Sequence, residues 1–148
     1  WAIQKAVELG ACEITPLFTE RCEVKLQGDR AEKRQAHWQQ IAVSACEQSG
    51  RSVVPTIHAP LPLDTWLGDL QADLKLVLHH RTEHSLASLA RPATLALLIG
   101  PEGGLSGDEI ERAQTAGFKP ACFGPRVMRT ETAPVAALAV AQYLWGDF

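Results

Sequence analysis

Leu97-Leu98-Ile99-Gly100-Pro101-Glu102-Gly103-Gly104-Leu105-Ser106 is the stretch on which the fold turns. An apolar run of strand length enters a loop with three glycines and a proline in five residues. Ser106, followed three positions on by Glu109, then reads as a capping box that opens a helix stopping at Gly117. Loops at the carboxyl ends of parallel strands are where α/β folds hold ligands, and glycine lets a ligand approach the backbone closely. The stretch has neither Gly-x-Gly-x-x-Gly nor Gly-Lys-Ser/Thr, which argues against the common dinucleotide and nucleoside-triphosphate sites.

Working outward, strand-like runs lie at Cys12–Phe18, Val53–Ile57, Leu74–His79, Leu95–Gly100 and Ala121–Gly124. The middle three are rich in Val, Leu and Ile without polar alternation, as in parallel strands buried on both faces. Helical patterns alternate with them: Trp1–Leu9 ending at Gly10, a long helix capped by Asp29 and ending at Gly50, a weaker one at Asp64–Leu70, the Ser106 helix, and Thr132–Trp145. Such alternation predicts one α/β layered domain with helices on both faces of a parallel sheet. On the long helix, Trp38, Ile41, Ala42, Ala45, Cys46 and Ser49 share a face and Glu47 points away. The last helix has no polar stripe apart from Gln142, so it is expected to be buried all round, either enveloped or at a subunit interface.

A 148-residue chain can bury roughly 70% of its unfolded surface, and hydrophobic content of 46% with 21% charged residues is ordinary for a globular domain. No apolar run approaches the ~20 residues of a membrane span. With 14 basic and 17 acidic residues, the formal charge of −3 disfavours nucleic-acid binding by bulk field but not by a local patch. Cys12, Cys22, Cys46 and Cys122 form no Cys-x-x-Cys pair and read as reduced, mostly buried thiols of a cytosolic protein. His79, His80 and His84 lack an acidic or cysteine partner at fixed spacing, so a polar loop at a strand end is expected there and no metal site. The chain starts on Trp1 and its single methionine is Met128. We read it as a piece of a longer or processed product.

A second polar, constrained segment follows the last strand: Phe123-Gly124-Pro125-Arg126-Val127-Met128-Arg129-Thr130-Glu131-Thr132-Ala133-Pro134. Two strand-end loops of this kind are expected to line one pocket. Glu47-Gln48-Ser49-Gly50-Arg51 at the end of the long helix is a weaker signal, since an arginine there also suits the helix dipole.

Taken together, Trp1–Gly10, Thr19-Glu20-Arg21, Glu47–Arg51, Gly100–Gly104 and Gly124–Ala133 resemble the RsmE-type family of SPOUT methyltransferases, which methylate N3 of a uridine in 16S ribosomal RNA. The stretches span the chain in family order; Met128 stands where leucine is commoner. The resemblance implies a C-terminal trefoil knot, which the general rule against threaded chains would exclude. It also implies S-adenosylmethionine bound against Leu78, His79, Gly100, Pro101, Glu102, Gly103, Gly104, Phe123, Gly124, Pro125, Val127, Met128 and Thr132. A homodimer packed through knot helices is implied too, as is a catalytic domain spanning 1–148 without the family's N-terminal PUA-like RNA-binding domain and first strand. The partner is the 16S rRNA of the small subunit, and the location cytoplasmic, with no membrane and no metal.

Attack by uridine N3 requires loss of its proton and stabilisation of charge on O2 and O4, work suited to a carboxylate and an arginine. Arg129 is the expected contact to the uracil oxygens or a phosphate, Glu131 the base or orienter, and Arg51 a contribution from the other subunit. Arg21, Lys25 and Arg126 are candidate phosphate contacts. Two alternatives stand beside this reading: a cofactor-binding module inactive on RNA by itself, and an unrelated α/β nucleotide-binding hydrolase, the latter opposed by the absence of a Gly-x-Ser-x-Gly elbow.

Overall fold

The computed structural model describes residues 1–23, 26–79 and 86–148. Its helices are α1 (Ala2–Glu8), α2 (Asp29–Ser49), α3 (Leu63–Asp69), α4 (Gly107–Thr115) and α5 (Thr132–Trp145). The strands are β1 (Glu13–Ile14), β2 (Leu17–Phe18), β3 (Thr56–Ile57), β4 (Leu61–Pro62), β5 (Leu74–Leu78), β6 (Leu95–Leu98) and β7 (Lys119–Ala121). All pairings are parallel: β1 with β3, β2 with β4, and β6-β5-β7 in a three-stranded sheet with β5 central. Parallel neighbours need crossover connections, which is why each of these pairs is separated by a helix or a long segment in sequence.

β5 shows why the sheet needs cover on both sides. Leu74 and Leu76 point to one face and pack with Leu86, Leu144 and Trp145, while Val77 points to the other and packs with Leu63 and Leu67 of α3 and Ala113 of α4. A strand alternates sides with period two, so both sets are apolar only if both faces are covered. A separate cluster joins Val7 of α1 to Ala42, Ala45 and Cys46 of α2 and to Ile57 of β3.

Several boundaries differ from the sequence expectation, and proline explains most of them. The expected strand Cys12–Phe18 is split at Thr15-Pro16, and its partner is split at Ala59-Pro60, because proline supplies no N–H to the ladder. Carbonyls of the breaks still accept bonds, from His58 to Ile14 and from Leu61 to Pro16. Val53 and Val54, expected in a buried strand, precede Pro55 and are exposed. β7 ends at Ala121, which leaves Cys122–Gly124 to the loop, and of the four cysteines expected to be mostly buried only Cys46 is. Gly28, not Asp29, is the N-cap of α2, and no side chain caps that end. α5 buries only Ala133, Ala137 and Ala141; Val140 and Tyr143 are exposed, so within one chain it is not enveloped. The Ser106–Glu109 capping box is present as expected.

Candidate functional site

β5, β6 and β7 end side by side, and the loops beyond them enclose a cleft of about 740 Å³, within the usual range for a small-ligand site. Leu78 and His79 form its floor at the end of β5. The 100–104 loop forms one wall and the 121–131 segment the other. The apolar lining comes from Ile99, Leu105, Ile110, Phe123 and Met128, and the polar groups from Glu102, Arg126, Arg129, Thr130 and Glu131.

The glycine loop has a defined shape. Gly104 N–H donates to the Pro101 carbonyl at 2.8 Å and Gly104 has φ +70°, a conformation that favours glycine. At Gly100 a Cβ would lie 2.9 Å from the Leu105 backbone nitrogen, so the loop closes on itself only without a side chain there. Thr130 Oγ1 donates to the Gly100 carbonyl at 3.3 Å and ties the two walls together.

Thr19-Glu20-Arg21 braces this loop from outside. Arg21 Nη1 donates to the Gly103 carbonyl at 2.8 Å. Glu109, only 1% exposed, accepts from Ser106 N–H on one oxygen and from Glu20 N–H on the other, both at 2.8 Å. Thus the carboxylate that caps α4 also fixes the segment carrying Arg21. Glu20 in turn lies 3.5 Å from Arg112, which hydrogen-bonds Asp64 at 2.8 Å. Desolvation disfavours the Arg112 charge, but Asp64 and Glu20 outweigh it and raise its pKa above the ordinary arginine value.

Most expected site residues come together. Arg21, Leu78, His79, Gly100–Gly104, Phe123, Arg126, Val127, Met128, Arg129 and Glu131 all line the cleft. Gly124, Pro125 and Thr132 lie beside it in sequence but not on its lining. Lys25, His80 and His84 lie outside the described residues. Arg129 Nη1 stands 4.0 Å from Glu131 Oε1 with the arginine side chain 87% exposed, a loose pair at the mouth. Arg51 is elsewhere in this chain: its Nη1 donates to the Val7 and Ala11 carbonyls at 2.8 and 2.7 Å and closes the C-terminal end of α1. Ile99, Leu105, Ile110, Cys122, Thr130 and Ala133 line the cleft without having been singled out. Adjacency to the two loops was their one signal in the sequence. Among the described residues no group of three His, Cys, Asp or Glu side chains could hold a metal. None of the described helices is long and apolar enough to cross a membrane.

The strand-end loops of this parallel sheet thus make an open cleft lined by Arg21, Arg126 and Arg129. The chain belongs to the RNA methyltransferase domain family, whose model matches residues 1–142. Within that class it is similar to proteins called ribosomal RNA small subunit methyltransferase E. The relative from Buchnera aphidicola (subspecies Acyrthosiphon pisum) is 35% identical over 100% of this chain and 59% of its own length. That from Bacillus subtilis is 35% identical over 97% of this chain and 60% of its own length. Among solved structures, the methyltransferase E of Neisseria gonorrhoeae bound to S-adenosyl methionine superposes with a TM-score of 0.93 at 42% identity, covering 99% of this chain and 61% of that one. A Legionella pneumophila methyltransferase in complex with SAM gives 0.96 at 42% identity, with the same coverage of both chains. The chain spans about three fifths of the length of these relatives.

Proposed function

We propose that this chain is the cofactor-binding, catalytic part of a ribosomal RNA methyltransferase that uses S-adenosylmethionine to methylate N3 of a uridine in 16S rRNA of the small subunit. The observation that carries this is the cleft between the 100–104 loop and the 121–131 segment, in a fold whose similar structures were solved with that cofactor.

The residues present fit the cofactor. Ile99, Leu105, Ile110 and Phe123 offer an apolar slot for an adenine ring, and the glycines at 100, 103 and 104 leave backbone groups open to polar atoms. The volume suits a ligand of that size. When bound there, S-adenosylmethionine supplies a methyl group activated by its sulfonium. Everything else falls to the chain's own side chains, and positioning dominates such an in-line displacement. Arg129, exposed at the mouth, is free to meet the uracil O2 or O4 and stabilise negative charge as N3 loses its proton. Glu131, at the start of α5, is placed to take that proton or to hold Arg129 in line. Arg126 and Arg21 also line the cleft and are the proposed contacts to RNA phosphates. Arg51 enters this scheme only if a second subunit presents it.

Two structural elements complete the reading. The segment between β7 and α5, which lies against Gly100, is the part that a trefoil knot would thread. α5 leaves Val140 and Tyr143 uncovered, which supports a homodimer built on that helix. The cytoplasm, where small-subunit rRNA is, is the expected location.

Calorimetric titration with S-adenosylmethionine tests the site. One cofactor per chain is expected, with binding lost or weakened at least tenfold in Gly100→Val, whose side chain would oppose Leu105. Absence of binding to the unaltered protein would overturn the proposal.

A further inference from the structure

Arg30, Lys33, Arg34 and His37 recur along α2 at i, i+3, i+4 and i+7, and all four are exposed. That spacing puts them on one face of the helix. The opposite side is committed elsewhere: Ala42, Ala45 and Cys46 enter the core, and Gln35 and Gln39 bond the backbone of Ile57 and Pro55. None of the ion pairs among the described residues involves Arg30, Lys33 or Arg34, although Asp29 and Glu32 are near in sequence. Arg34 lies over the Trp38 ring at 6.0 Å, at the edge of the stripe. Like charges one turn apart disfavour a helix, and no ion pair among the described residues offsets that at Arg30, Lys33 or Arg34, which leaves their charges open to an anion outside the chain.

Position adds to charge. β1 and β2 run in one direction into Arg21, which abuts Gly103, and β3 is parallel to β1. Gln35 bonds Ile57 at the carboxyl end of β3, while Arg51 just past the other end of α2 bonds Ala11 ahead of β1, so the N-terminal half of α2 lies at the carboxyl end of the β1–β3 pair. We propose that Arg30, Lys33 and Arg34, with His37 beside them, form a track for the sugar-phosphate backbone of the substrate RNA. This deepens the methyltransferase reading and rests on it. The track positions RNA and reads no bases; it also explains how a chain with formal charge −3 engages a polyanion locally.

The test compares the unaltered protein with a triple variant, Arg30→Ala, Lys33→Ala and Arg34→Ala, binding a 16S rRNA transcript across a range of KCl concentrations. Calorimetry with S-adenosylmethionine and a melting curve accompany it. Loss of three phosphate contacts should reduce the slope of log affinity against log salt by about two, at roughly 0.7 per contact on single strands. Affinity at physiological salt should fall at least tenfold, with cofactor affinity and melting temperature unchanged. An unaltered slope and affinity in the variant, while the parent binds the transcript, would overturn the track and leave the methyltransferase reading standing. A defect seen on intact small subunits but not on the naked transcript would also overturn it, since the partner would then be a protein. If neither protein bound the transcript although both bound the cofactor, the RNA reading itself would fall, and the track with it.

Discussion

Arg21 donates from Nη1 to the carbonyl oxygen of Gly103 at 2.8 Å, so the first third of the chain fixes the shape of a loop formed in the last third. The arginine's Cβ also lies 3.1 Å from where a Cβ at Gly103 would stand, so any larger residue there would crowd the brace. Arg21→Ala should leave the fold intact yet weaken S-adenosylmethionine several-fold, because the loop loses its outer restraint. Calorimetry beside an RNA-binding assay checks this. Unchanged cofactor affinity with reduced RNA affinity would make Arg21 a phosphate contact and nothing more.

Glu109 supplies both ends of that arrangement. Replacing it by glutamine keeps one acceptor oxygen but puts an amide where the second acceptor stood, so either the part-buried Glu20 N–H or the buried Ser106 N–H is left unpaired. An unmet buried donor costs about 1–3 kcal/mol. At about 2–4 °C per kcal/mol for a domain of this size, melting should fall by roughly 2–12 °C. A Glu109→Gln protein melting with the parent would show that one of the two bonds contributes nothing.

Arg51 makes a different prediction from the one its position in the sequence suggests. Its two bonds, to the Val7 carbonyl, which also accepts from Gly10 N–H, and to the Ala11 carbonyl just past α1, tie the end of α2 to the end of α1. Arg51→Ala should therefore destabilise the chain by about 1–3 kcal/mol in urea unfolding. Full stability combined with lost methylation would instead place the side chain in a partner's site.

Val140 and Tyr143 are exposed on a helix with one polar side chain among its last ten residues, Gln142, whose Nε2 is engaged by the Leu9 carbonyl at 2.9 Å. On the proposed dimer, the parent should scatter light as a dimer and the paired substitutions Val140→Glu and Tyr143→Glu should leave a folded monomer. A parent that is monomeric at all concentrations would remove the dimer from the account.

What could be read from sequence follows the range of the interactions. The Ser106–Glu109 box is a contact over three residues, and the glycine loop after an apolar strand is likewise local, so both are plain in the chain. Strand limits were not, because Pro16, Pro55 and Pro60 interrupt ladders whose partners are far away in sequence. The second role of Glu109 and the true partners of Arg51 depend on segments tens of residues distant, and no spacing rule reveals them. For α5 the pattern left open whether the helix is enveloped or meets a second subunit: the chain buries its Ala133, Ala137 and Ala141 stripe, half-buries Leu144 and Trp145, and leaves Val140 and Tyr143 exposed.

The central claim is that this cleft delivers a methyl group to uridine N3, with Arg129 at its mouth. Its most direct test is mass-spectrometric nucleoside analysis of unmethylated small-subunit rRNA after incubation with the protein and S-adenosylmethionine, run beside Arg129→Ala. The account predicts N3-methyluridine from the parent and at least a hundredfold less from the variant at saturating cofactor, a loss typical of removing one transition-state charge contact. Methylation at another atom, or an Arg129→Ala protein as active as the parent, would contradict it.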